Sequence, residues 1–184
     1  MKKHIFAVTI FAVLMHQAPA IAKASEAAMT TNAHPISGLI GDWSTFRAGI
    51  LDKTKQYDKY SDITNPQLAS LPTTLIGHWQ TQSRPDKPGN PLQTELSLKP
   101  NQTFTYQFVA LTGNTRQQWQ FSGRWEVKNG ILMLLIDHST YPGEEKHDIL
   151  FWRLLHVGHS KLVYVRSGAD EMMAMTRGRG RIGS

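Results

Sequence analysis

From residue 75 onward, apolar and polar positions alternate with a period of two. The stretch 75–80 reads as a first strand, with Gly77, Trp79 and Thr81 on one face and His78 and Gln80 on the other. Leu92, Thr94, Leu96 and Leu98 then alternate with Gln93, Glu95, Ser97 and Lys99. Phe104, Tyr106 and Phe108 alternate in turn with Thr103, Thr105 and Gln107. The pattern is cleanest in a fourth strand. Trp119, Phe121, Gly123, Trp125 and Val127 share one face, and Gln118, Gln120, Ser122, Arg124 and Glu126 share the other. Such alternation means one face in a core and one face wet. A fifth strand over 131–137 is apolar on both faces, so something must cover its outside. Further strands fall at about 148–156, 162–166 and 172–176.

Turn residues separate these runs. Residues 83–91 carry three prolines and a glycine, and Pro100 with Asn101, then Thr112, Gly113 and Asn114, mark the next two reversals. Asn129 and Gly130 form the strongest short hairpin signal. Residues 139–146 contain a Pro-Gly pair, and Gly158 and His159 turn the chain again. Eight strands in strict order with short turns predict an all-β fold, an antiparallel up-and-down meander. With one apolar face, it must curl and close into a barrel to remove its edges. The interior of an eight-stranded barrel is filled by side chains or holds one small ligand.

Ahead of the strands the period changes. Residues 1–24 read as a signal peptide: Lys2 and Lys3 precede an apolar run from 5 to 15, too short to span a bilayer, and cleavage is expected after Ala24. Residues 25–36 are small and polar and read as a disordered leader. Within 37–60, Leu39, Ile40, Trp43, Phe46, Ile50 and Leu51 fall at roughly helical spacing, with Asp42 or Ser44 as the cap. They predict a short N-terminal amphipathic helix that closes one mouth of the barrel or lies on its wall. A docking helix for a partner or a membrane is the alternative. Residues 61–74, with two prolines, read as a connector to a barrel domain at 72–178. Leu39, Ile40, Gly41, Asp42 and Trp43 repeat as Leu75, Ile76, Gly77, His78 and Trp79, but the flanks share little.

Charge and composition narrow the function classes. The formal charge is +6, with 20 basic and 14 acidic residues. Loss of Lys2, Lys3 and Lys23 with the signal leaves +3, and Arg177, Arg179 and Arg181 sit in one glycine-rich stretch. The remaining body is near neutral, so no nucleic-acid partner is implied. The basic tail 179–184 is read as solvated, with anionic lipid or polysaccharide as the alternative contact. The absence of cysteine excludes thiol chemistry and a lipoprotein anchor, so no stable membrane anchor is expected once the signal is cleaved.

The Gly77-x-Trp79 opening resembles that of the lipocalins and the shorter lipocalin-like bacterial domains, over roughly residues 72–178. The resemblance implies an arginine near the end of the last strand packed over the tryptophan, and Arg177 stands in that place. It also implies a carrier of a small apolar molecule. The strands look shorter than in full lipocalins, and no helix follows the barrel. Gly77, Trp79 and Arg177 are on this reading structural: a large ring on the barrel floor, a guanidinium on its face, and a residue that lets the chain bend or approach a neighbour closely.

No established catalytic or phosphate-binding motif is present. Non-enzymatic binding is therefore expected, with no cofactor. Trp79, Phe104, Tyr106, Phe108, Trp119, Phe121 and Trp125 are the candidate cavity wall, or else they fill the barrel completely. His138 and His147 flank one hairpin and are weak metal candidates, though their spacing matches no metal motif. Two classes stay open: an exported binding protein for a small apolar or amphipathic ligand, periplasmic or secreted, and an interaction module whose partner is an envelope protein. A His-ligated haem or metal barrel stands behind them.

Overall fold

The structure, a computed structural model, describes residues 35–81, 93–112, 115–142, 147–167 and 172–178. The signal peptide, most of the leader, Leu92 and the basic tail lie outside the described residues. Eight antiparallel strands form one closed barrel in sequence order. They are β1 (Gly77–Gln80), β2 (Gln93–Leu98), β3 (Thr103–Thr112), β4 (Thr115–Lys128), β5 (Ile131–Ser139), β6 (Ile149–Val157), β7 (Lys161–Arg166) and β8 (Met172–Arg177). The ring closes where Trp79 pairs with Arg177 and Gln80 with Thr176. Asn129 and Gly130, both at positive φ (52° and 77°), make the β4–β5 turn, as their chemistry dictates.

The alternation sorts inside from outside. Trp79, Leu96, Leu98, Phe104, Tyr106, Phe108, Phe121, Trp125, Leu132, Leu134, Ile136, Trp152, Leu154, Leu162, Tyr164 and Met175 make one buried cluster. The outer faces of β2–β4 carry Glu95, Ser97, Thr105, Gln107, Gln120, Ser122, Arg124 and Glu126, none of them buried. An apolar inside and a polar outside is the reverse of a lipid-facing barrel. Among the described residues, no helix is long and apolar enough to cross a membrane.

Gly123 shows how the barrel bends. The β4–β5 register slips between Ser122 and Gly123. A Cβ on Gly123 would run into the Leu135 carbonyl of β5. Only glycine lets the two backbones approach this closely at the bulge.

The segment before β1 wraps the barrel. Helix α1 (Trp43–Lys53) starts where the Asp42 carboxylate accepts the backbone N–H groups of Ser44 and Thr45. Those hydrogen bonds, Thr45's foremost, hold Asp42 below the usual carboxylate range. A 3-10 turn (Ile36–Ile40) and α1 lay Ile36, Leu39, Ile40, Trp43, Phe46 and Ile50 on Ile131, Met133 and Leu135, the outward apolar residues of β5. Phe46 packs on Phe151 of β6, ring centroids 4.6 Å apart. A second 3-10 turn (Lys55–Tyr60) is tied to the wall by Arg153, whose Nη1 donates to the Thr54 carbonyl (2.9 Å) and whose Nη2 meets Asp58.

Three expectations need correction here. Ile36, assigned to a disordered leader, is buried in the contact with β5, and the Glu126 carboxylate accepts the backbone N–H of Ser37 (3.0 Å) and its Oγ–H (2.8 Å). Residues 61–74, read as a connector, contain helix α2 (Asn65–Leu75): Pro66 sits in its first turn, where its missing N–H costs nothing, and Thr64 and Gln67 form a capping box. Leu75, read as strand, is the last residue of that helix. Strand hydrogen bonding begins at Gly77, which takes φ +143°.

Candidate functional site

The two ends of the barrel differ. At the lower end, Leu71 and Leu75 of α2 join the interior cluster, and Leu68 packs against it. Trp79 is fully buried there, and its Nε1 donates to the Leu75 carbonyl (2.8 Å). The Arg177 guanidinium lies over the Trp79 ring, 4.3 Å from its centroid. Every nitrogen of that guanidinium donates to a backbone carbonyl: Nε to His159 (2.6 Å), Nη1 to Ile76 (2.8 Å) and Nη2 to Thr74 (2.7 Å). Gly77 is the residue that makes room, since a Cβ there would collide with Arg177 Nη1. Phe104 is buried beside this floor, and Trp125 is closed by a hydrogen bond from its Nε1 to the Lys99 carbonyl (3.0 Å). These residues are a sealed plug in which the indole N–H of Trp79 and of Trp125 and each nitrogen of Arg177 make a hydrogen bond.

The last residues of β1, β3, β5 and β7 lie at the upper end. A continuous run of rings leads up to it. Trp152 stacks on Tyr164 (4.3 Å, 10° between planes) and meets the edge of Tyr106 (5.4 Å). Tyr106 and Phe108 both stack on Phe121. Phe108 then meets Trp119 (4.9 Å) and Tyr141 (5.8 Å), which are half-buried. Trp119, Tyr141, Gln117, Gln118 and Pro142 line a shallow depression of about 400 Å³ at this rim.

One charged group sits among these rings. Arg166 is the last residue of β7, on the same face as Leu162 and Tyr164. Its guanidinium lies over the rings of Tyr106 (5.8 Å) and Trp152 (5.6 Å), and Nη2 donates to the Tyr106 hydroxyl (2.7 Å). Its Nε is sealed from solvent, and the buried Tyr164 hydroxyl faces the same guanidinium closely enough to interact with it, though outside ideal hydrogen-bond geometry. Burial raises the Tyr164 phenol well above its ordinary range, although the Arg166 charge pulls the other way. The phenol therefore stays a neutral O–H donor at physiological pH. Arg166 as a residue is half-buried, while its guanidinium lies within the cluster of rings.

The expected wall residues thus divide. Trp79, Phe104 and Trp125 belong to the filled floor; Tyr106, Phe108, Phe121 and Trp119 form the upper half. Trp152, Tyr164, Arg166 and Tyr141 complete that half and were not singled out from the sequence. The signal was there for Arg166: an arginine two residues after Tyr164 in an alternating strand has the parity of the core. His138 is exposed at the end of β5. His147, at φ +82°, is half-buried, with Nδ1 unpartnered. Among the described residues, no three His, Asp or Glu side chains are grouped to hold a metal ion.

These features define the chain as an all-β protein built on a closed eight-stranded antiparallel barrel. No protein-family model matches the sequence, and no curated protein is significantly similar to it.

Proposed function

We propose that this chain is an exported, non-enzymatic, lipocalin-like binding protein, periplasmic or secreted after signal cleavage, that takes a small apolar or amphipathic ligand at the upper end of its barrel. The asymmetry of the two ends carries this reading. The floor is plugged and closed by hydrogen bonds, whereas the upper half presents the half-buried rings of Trp119 and Tyr141 to solvent and holds Arg166 and Tyr164 beneath them. Apolar walls with a few convergent polar groups are what small-molecule sites use. Trp79 under Arg177, opened by Gly77, is the arrangement the lipocalin-like resemblance implies, and it supports placing the chain beside that group.

The test is titration of the full mature protein with 1-octanol, a neutral amphiphile, followed by tryptophan fluorescence and thermal melting. A bound ligand at 100 times its dissociation constant should stabilise the fold by about 2.7 kcal/mol. Failure of any alcohol or fatty acid to raise the melting temperature would falsify the carrier reading. An envelope interaction module is the second reading, and the filled lower half favours it: Trp79, Phe104, Leu96, Leu98 and Leu132 leave that half no solvent-accessible surface to offer a ligand. On that reading the polar outer wall and the loops are the functional surface.

A further inference from the structure

At the rim, Trp119 and Tyr141 meet at 71° with ring centroids 5.5 Å apart, so they form a corner rather than a stack. Both rings are backed by Phe108, at 4.9 and 5.8 Å. Tyr141 lies beyond the end of β5, yet its place is fixed. The Ser139 hydroxyl oxygen accepts its backbone N–H (3.0 Å). The Thr140 N–H donates to the Gln120 carbonyl (3.0 Å), and the Gln120 N–H donates to Thr140 Oγ1 (2.8 Å). The corner is thus built before any ligand arrives. Gln117 and Gln118 line the same depression; both are exposed, and among the described residues neither side-chain amide has a partner. No charged side chain among the described residues lines it. The uncharged chemistry continues down the outer wall. Thr105 and Gln107 of β3 stand opposite Ser122 and Gln120 of β4, below Gln118, and Gln107 Nε2 donates to Gln120 Oε1 (3.1 Å). Exposed positions usually go to charged residues; this row is amides and hydroxyls, bounded by Glu95 of β2 beside Gln107 and by Arg124 further along β4.

We propose that the Trp119–Tyr141 corner and the amide row below it bind a neutral oligosaccharide whose pyranose rings carry equatorial hydroxyls. Such a ring has an apolar C–H face and a hydroxyl edge. The face lies on an aromatic ring that is itself apolar in body and wet at one side. Each hydroxyl both donates and accepts, and a carboxamide is the neutral side chain that answers both. Depth selects the same class. A purely apolar ligand binds by losing most of its surface to the protein, whereas this depression of about 400 Å³ is shallow. A saccharide keeps its outer hydroxyls in water without penalty. The proposal goes beyond the carrier reading and does not need it, because the corner lies at the surface whether or not the barrel interior takes a ligand.

The experiment titrates the full mature protein with cellotriose, a neutral β-linked trisaccharide with equatorial hydroxyls. Sorbitol, an open-chain polyol, and 1-octanol are run beside it. Tryptophan fluorescence and the indole and carboxamide N–H resonances are the readouts. A contact this small and open should give a dissociation constant of about 1 mM. The Trp119 Nε1–H and the Gln118 side-chain N–H resonances should shift with cellotriose and stay in place with sorbitol, which has the hydroxyls but no ring face. Trp119→Ala should weaken cellotriose about tenfold or more. Gln118→Ala should weaken it about threefold or more. Gln118 is exposed, so this second variant keeps the fold and decides the matter should Trp119→Ala fail to fold. No response to cellotriose up to about 20 mM, or an equal response to sorbitol, overturns the saccharide site. Shifts at Trp43 in place of Trp119 overturn its location. A response to 1-octanol alone overturns this proposal and leaves the carrier reading standing; a response to cellotriose alone does the reverse. Silence towards both overturns both.

Discussion

Two arginines lie on aromatic rings in this barrel, and they are opposite in kind. Arg177 covers Trp79 at 4.3 Å and gives its donors to the carbonyls of His159, Ile76 and Thr74. It stitches the end of β8 to the exit of α2 and to the β6–β7 turn, so the floor closes through backbone groups fixed within the fold. Arg166 lies on Tyr106 and Trp152 at longer range, donates to the Tyr106 hydroxyl and faces that of Tyr164. No carboxylate among the described residues pairs with it. The first charge is tied to the backbone of three segments; the second is held by the rings and hydroxyls of neighbouring side chains.

The floor should respond most to mutation. Trp79→Ala removes the largest side chain of the closed end and leaves Arg177 without its ring, and it should cost about 3–5 kcal/mol in urea unfolding. A loss below about 1 kcal/mol would mean that α2 alone seals the barrel. Arg177→Ala comes next. It strips three carbonyls of a charged donor and loses the ring contact, for about 2–4 kcal/mol. Arg177→Lys should recover only part of this, because an ammonium cannot serve three diverging carbonyls and lie flat on the ring. Full recovery by lysine would show that charge rather than shape matters there. The smallest effect should come from Arg166→Gln in the absence of ligand, a change in stability within about 1 kcal/mol of either sign. If Arg166→Gln destabilised the protein as much as Arg177→Ala, the two arginines would be alike and the upper cluster merely structural.

The repeated pentapeptide makes the same point about local sequence. Leu39 through Trp43 and Leu75 through Trp79 differ at one position, and both place glycine at positive φ (75° and 143°). The first copy runs from a 3-10 turn into α1, with Trp43 half-buried on the outside of the barrel. The second runs from α2 into β1, with Trp79 at the centre of the floor. Gly41 has nothing within 4 Å of an added Cβ, whereas Gly77 has Arg177 against it. Partners distant in sequence decide the fate of each copy.

What the sequence determined by itself is what period and turn chemistry can carry. The alternation at Trp119, Phe121, Gly123, Trp125 and Val127 assigned β4 its faces, because each residue's side is fixed by its parity in an extended chain. Asn129 and Gly130 set the turn because positive φ is a local preference. Eight such strands in order imply a closed barrel, since an open edge has no local remedy. Tertiary structure decided the rest. Helix α2 escaped notice because its two prolines read as breakers, and only packing of Leu71 and Leu75 under the barrel shows why the helix persists there. Ile36 looked like part of a polar leader because a single apolar residue has no period. Arg166 could be given a side by parity, but its place over the rings of Tyr106 and Trp152 and beside Tyr164 depends on strands β3, β6 and β7 together. No single stretch of the chain contains that arrangement, because the surroundings of a side chain are a property of neighbours in space.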